Sequence, residues 1–213
     1  MLIEDGGADV HTRTGDGMTP LHEAVEFGDN VEVVRLLVDN GADVSARKSQ
    51  CGKTTPLHQA AEHGRPTCFE LLVESGADIN ALTEDTGEAS LAIAADCACV
   101  YRPGLSAKAG ADPPDVAECM PRYERIIRFA LANGADVDNK NHGGQTALHG
   151  AAFRGNYNIA SILLQAGADP TIVSTPPTSP LTAAQLAAVW GHTSVERLIR
   201  SYKAKPTKAR QDL

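Results

Sequence analysis

The sequence predicts an all-α solenoid of stacked helix-turn-helix units with protruding hairpin fingers. Two recurrences carry that prediction. The phrase Thr19-Pro20-Leu21-His22 returns as Thr55-Pro56-Leu57-His58 and as Thr146-Ala147-Leu148-His149. In step with it, Gly-Ala-Asp stands at Gly7-Ala8-Asp9, Gly41-Ala42-Asp43, Gly76-Ala77-Asp78, Gly134-Ala135-Asp136 and Gly167-Ala168-Asp169, at intervals of 34, 35, 58 and 33 residues. Three intervals are one unit long and one is a unit carrying an insertion. Self-similarity at such a period means stacked supersecondary units that bury a continuous core only together.

Each element of the unit follows from its residues. Thr19 is suited to cap a helix, and Pro20 sits at a first helical position where a missing N–H does no harm. Leu21, Ala24 and Val25 follow at helical spacing, and Gly28 is expected to end the helix in a left-handed conformation. Val31, Val34, Leu36 and Leu37 form the apolar stripe of a second helix. Gly41 ends it, and Ala42-Asp43-Val44 leads out into a finger. The pairs Ala60-Ala61, Ala151-Ala152 and Ala187-Ala188 let neighbouring first helices approach closely. Helical pairs are thus expected near 19–40, 55–75, 89–133 (interrupted), 146–166 and 182–202, with no continuous sheet.

The period and the Thr-Pro-Leu-His signature resemble the ankyrin repeat, over roughly residues 1–202, as about five repeats. The third copy, Gly87-Glu88-Ala89-Ser90-Leu91-Ala92, and the fifth, Thr182-Ala183-Ala184-Gln185-Leu186-Ala187, are worn forms of the signature. Leu2-Ile3-Glu4-Asp5-Gly6 matches the end of a second helix, so the chain opens inside a repeat. Leu2 and Ile3 are expected to meet a preceding segment or another chain.

Hydrophobic content of 42% with only 4% aromatics suits a core of Leu, Val, Ile and Ala between thin helices. No apolar run reaches the length of a membrane span, and no secretory signal is visible. Residues 1–100 carry 6 Lys/Arg against 18 Asp/Glu, a net of −12, and residues 101–213 carry 13 against 9, a net of +4. The acidic half argues against nucleic acid, and it either draws protein partners with basic groups or serves to solubilise a thin solenoid. The five cysteines, at 51, 68, 97, 99 and 119, are odd in number and lack framework spacing. That favours an intracellular, reducing compartment, cytoplasmic or nuclear, or an organelle if a transit peptide was removed.

The third copy holds about 24 extra residues between its two helices. Residues 98–120 form the insertion, whose Pro- and Gly-rich part, 101–114, reads as a long loop, with a turn of helix at 115–119 and the second helix near 123–133. Cys97, Cys99 and Cys119 lack the spacing of a metal site and read as buried or idle thiols. The finger Ser174-Thr175-Pro176-Pro177-Thr178-Ser179-Pro180 is stiff and extended. Residues 203–213 are a basic tail beyond the repeat domain of 1–202.

No glycine-rich phosphate loop, nucleophile elbow or zinc-protease helix is present. His22, His58 and His149 share one repeat position, which a structural role predicts and a catalytic one does not. The chain is therefore read as a non-enzyme, with no cofactor and no metal. The family resemblance implies a concave binding surface made of fingers and the open side of the first helices. It also implies that the two residues before the first-helix glycine face that surface. Here those are Glu26-Phe27, Glu62-His63, Phe153-Arg154 and Val189-Trp190; the third copy has lost its glycine. Met18, Arg47, Lys48, Thr54, Lys140, His142 and Gln145 on the fingers complete it. The expected function is non-catalytic binding of a partner protein there. The alternative is a permanent structural subunit of a large assembly, held through the insertion, the open first repeat and the tail.

Overall fold

The computed structural model describes residues 9–49, 53–97, 116–175 and 180–202, with side chains from 119 onward in the third stretch. Leu2 and Ile3, Cys51 and Cys99, the insertion loop up to 115, the centre of the Pro-rich finger at 176–179 and the tail 203–213 lie outside the described residues. Among the described residues the chain forms ten helices: α1 Pro20–Glu26, α2 Val31–Asp39, α3 Pro56–Glu62, α4 Pro66–Glu74, α5 Ser90–Cys97, α6 Val116–Ala132, α7 Ala147–Arg154, α8 Tyr157–Gln165, α9 Ala183–Val189 and α10 Thr193–Ser201. The odd-numbered helices stack into an inner layer and the even-numbered into an outer one, each helix touching the next in its own layer and its partner in the same repeat. Strand character is limited to two isolated antiparallel bridges in the fingers, Leu82 with Ala89 and Val173 with Thr182.

The signature residues act locally. The backbone N–H of Thr19 donates to His22 Nδ1 at 3.2 Å, and the Thr19 hydroxyl lies 2.9 Å from the same atom. Thr55 with His58 and Thr146 with His149 repeat the arrangement. A ring nitrogen that accepts from a backbone N–H carries no proton, so each histidine is the Nε2–H tautomer. That N–H then donates to a carbonyl of the following finger, Thr54 at 3.2 Å, Ala81 at 2.9 Å and Leu181 at 3.2 Å. One side chain therefore caps a helix and ties its repeat to the next. In α9, Gln185 caps Thr182 through its side-chain oxygen instead.

Gly-Ala-Asp has an equally local reading. Gly41, Gly76, Gly134 and Gly167 hold φ between +85° and +99°, and the Asp carboxylates accept from the N–H two residues on, as Asp43 does from Ser45 and Asp78 from Asn80. Such turns redirect the chain out of the second helix.

Four expectations need correction. Gly64, Gly155 and Gly191 take positive φ after their first helices, but Gly28 does not; the next residue, Asp29, is turned toward α4, whose Cys68 and Thr67 amides it accepts at 2.9 and 3.2 Å. The second helix of the third repeat starts at Val116, so the turn expected at 115–119 is its first turn, and Pro121 lies within the helix. Cys97 is buried as expected, but Cys119 is disulfide-bonded and is not an idle thiol. Ala188 is exposed, because among the described residues no repeat follows to pack on it.

Candidate protein-binding surface

The inner helices bring the groove candidates to equivalent places at the C-terminal ends of α1, α3, α7 and α9. Phe27 is 82% exposed, Val189 68% and Trp190 56%, while Glu26, Glu62, His63, Phe153 and Arg154 are half-buried. In the third repeat the register is held by Asp96 and Cys97, which the loss of the glycine had hidden.

Several of these side chains are engaged between repeats. Glu26 accepts from the Gln59 amide at 3.1 Å. Arg154 grips Asp96 with two nitrogens at 3.2 and 3.1 Å, and its guanidinium lies 4.9 Å from the Phe153 ring centre. Phe153 in turn meets Trp190 edge to face at 4.7 Å. The carboxylate on Arg154 and the ring contacts stiffen the C-terminal half of this face. Phe27 has no such aromatic neighbour among the described residues, and its exposure is the largest of any large apolar side chain there.

A carbonyl at or next to the end of each of the first four inner helices is capped from the following repeat. Arg65 donates to Glu26 O at 3.2 Å, Tyr123 to Glu62 O at 2.8 Å, Arg154 to Asp96 O at 3.0 Å and His192 to Phe153 O at 3.1 Å. Cationic or strong donors belong at helix C-termini, where the unpaired carbonyls concentrate negative potential. The sequence reading missed this system. Arg65 and His192 directly precede their outer helices, and Tyr123 holds the same register, but their chemistry differs from repeat to repeat. Position was the available signal.

On the fingers, Arg13 donates to the Arg47 carbonyl at 2.8 Å and Arg47 to the Leu82 carbonyl at 2.9 Å. This ladder covers the first two finger junctions. Its equivalents further on are Leu82, 39% exposed, and Lys140. His142 bonds the Asp85 carbonyl through Nδ1 at 2.9 Å, and its ring lies so close to Gly87 that a Cβ there would stand 2.6 Å away. Ser49, His142 and Thr175 each donate a backbone N–H to the preceding finger. Met18, Lys48, Thr54 and Gln145 are half-buried among these contacts, and Lys140 is exposed.

Burial pushes the pKa of His22 down to about 4 and lowers those of His58 and His149. Burial also lowers that of His63, against the pull of Glu62 and Glu26. Burial alone would raise the Asp29 carboxyl, but the Cys68 and Thr67 amides hold it below the usual range. Burial pushes the Cys68 thiol up to about 12, which leaves it unreactive. Among the described residues no group of three or more His, Cys, Asp or Glu is placed to hold a metal ion, and no helix is long and apolar enough to cross a membrane.

A sequence profile described as ankyrin repeats matches three copies, over residues 1–83 and 117–210. The chain is 34% identical over 146 residues to the E3 ubiquitin-protein ligase KEG of Arabidopsis thaliana, a match covering 68% of this chain and 8% of that protein. It is 30% identical over 201 residues to the human B-cell lymphoma 3 protein, covering 86% and 43% respectively. It is 30% identical over 168 residues to the ankyrin repeat and KH domain-containing protein mask-1 of Caenorhabditis elegans, covering 75% and 6%. The chain thus spans less than half the length of each of these relatives.

Proposed function

The chain belongs to the ankyrin-repeat family, and on that premise we propose that it is a non-catalytic module that binds a partner protein on its inner-helix and finger surface. Repeats of this family generally mediate protein–protein interaction and are typically non-enzymatic. The observation that carries the reading is the line at the ends of the inner helices, with Phe27 and Trp190 exposed and His63 and Arg154 half-buried, mounted on helices whose packed side is fully buried. An inner layer tied by inter-repeat caps and finger bonds is pre-organised, so little ordering entropy is lost on binding. Aromatic and Arg side chains on such a frame are the types that dominate binding energy.

The test is affinity capture from cell extract, with the intact chain and with Phe27→Ala and Trp190→Ala variants as bait. Loss of the same captured proteins from either variant supports the reading. Capture that survives both changes but fails when Arg122 and Arg128 on the outer face of α6 are replaced would move the partner to the outer layer and end the groove reading.

A further inference from the structure

The four internal junctions define what a following repeat supplies. It covers the residue three positions beyond the signature histidine or its equivalent: Val25, Ala61, Ala95 and Ala152 are all fully buried. It also donates to a carbonyl at or next to the end of that helix, through Arg65, Tyr123, Arg154 or His192. At α9 the same two places are Ala188 and Val189. Ala188 is exposed, Val189 is 68% exposed, and Trp190 beside them is 56% exposed. The outer half of this end is different. In the register of the fully buried Val34, Phe69 and Ala160, α10 carries Glu196, and in the register of the buried Leu164 it carries Arg200. These two form an ion pair at 2.9 Å. The outer helix thus wears a polar cap, while the inner helix presents an apolar strip and an open C-terminus.

We propose that the basic segment 203–213 docks on this inner half and caps the solenoid, setting Lys or Arg side chains at the α9 C-terminus and over Trp190. The inference stands on the stacking geometry; it gives Trp190 to the tail in the intact chain and leaves the line from Phe27 to Arg154 to a partner. Reach permits it. The described chain stops at Tyr202, the C-cap of the nine-residue α10, about 14 Å along that helix from the α9 end. Eleven further residues span up to about 36 Å when extended. Charge permits it as well, since Lys203, Lys205, Lys208 and Arg210 stand against the single acidic side chain of Asp212. A helix C-terminus attracts cations, and an exposed indole face binds them. The preceding repeat already shows both contacts in one residue: Arg154 donates to the Asp96 carbonyl and lies over Phe153. The intervening Ala204, Pro206, Thr207 and Ala209 are small enough to lie flat on Ala188 and Val189.

Trp190 is the only tryptophan of the chain, so its fluorescence reads the strip directly. The measurement compares acrylamide quenching and emission wavelength in the intact chain, in a chain ending at Tyr202, and in a K203S/K205S/K208S/R210S variant, with far-ultraviolet circular dichroism as the check of fold. The quadruple variant leaves all ten helices unaltered and reports even if the shortened chain unfolds. The expected result is stronger quenching and a red-shifted emission in both variants, with the intact chain's protection unchanged on dilution. Equal quenching in the intact chain and the quadruple variant would overturn the proposal. Protection that vanishes on dilution would also overturn it, by assigning the strip to a second copy of the chain.

Discussion

His22, His58 and His149 each accept a backbone N–H at Nδ1 and donate from Nε2 to the following finger. Protonation would set an N–H against an N–H at the helix cap. Their folded pKa values lie below the unfolded value of about 6.5, so between the two the unfolded chain binds more protons. Stability is therefore full above about pH 6.5 and is lost as pH falls toward about 4, the value for His22. Denaturant midpoints at pH 7 and pH 5 should differ accordingly. Replacing His22 by Gln, which keeps a cap as Gln185 does in α9, should flatten the difference; an unchanged slope would dissociate the histidines from the acid response. Phe27 and Arg154 occupy equivalent positions and should behave oppositely. Arg154→Ala removes a carbonyl cap and the pair with Asp96, and should cost about 1–3 kcal/mol of unfolding free energy. Phe27→Ala, at an 82% exposed site, should stay within about 0.5 kcal/mol in stability. Its effect belongs to binding, at about 1–4 kcal/mol if Phe27 anchors the partner.

Among the helices, the inner ones were legible to within a residue or two because capping, helical spacing and a terminal glycine all point the same way. Leu57, 1% exposed in α3 between α1 and α5, should cost about 2–5 kcal/mol when cut to Ala, measured by chemical unfolding. The outer helix of the third repeat is one continuous element where a separate turn and a shorter helix are expected, for α6 runs through Pro121 from Val116 to Ala132. A proline removes one backbone donor and crowds the preceding turn, but neighbours on α4 and α8 hold α6 in place. The Arg125 guanidinium is part of that hold, meeting Glu70 of α4 through two nitrogens at 2.7 and 2.6 Å. Pro121→Ala should then raise the thermal midpoint. A lower midpoint would show that the packing depends on the proline.

Over the whole molecule the charge is polarised, acidic across repeats one and two and basic toward the end. Glu26 lies at the acidic end of the inner line, beside Phe27. Charge reversal, Glu26→Lys, should slow association with a captured partner and reduce its salt dependence more than it changes dissociation, since charges at an interface rim act mainly on encounter. Stopped-flow or surface-based kinetics at two ionic strengths would show it, and a change confined to the dissociation rate would place Glu26 inside a buried contact instead.

The architecture was determined by the sequence alone, because every repeat must solve the same local problem. Thr-Pro-Leu-His starts a helix, Gly-Ala-Asp turns the chain out of one, and both act over three or four residues. The groove line was legible as positions for the same reason. What those side chains do was decided by stacking. Arg154 could be read as a binding residue, but the neighbouring repeat sets Asp96 against it. His142 could be read as a finger contact for a partner, but the preceding finger's carbonyl at Asp85 takes its ring nitrogen. Arg65, Tyr123 and His192 carried no visible pattern, because a helix carbonyl accepts any suitable donor and so constrains the place and not the residue type. Repetition along the chain fixes geometry. Contacts between residues about 30 to 60 positions apart exist only once the repeats are stacked, and these decide which groups remain open to a partner.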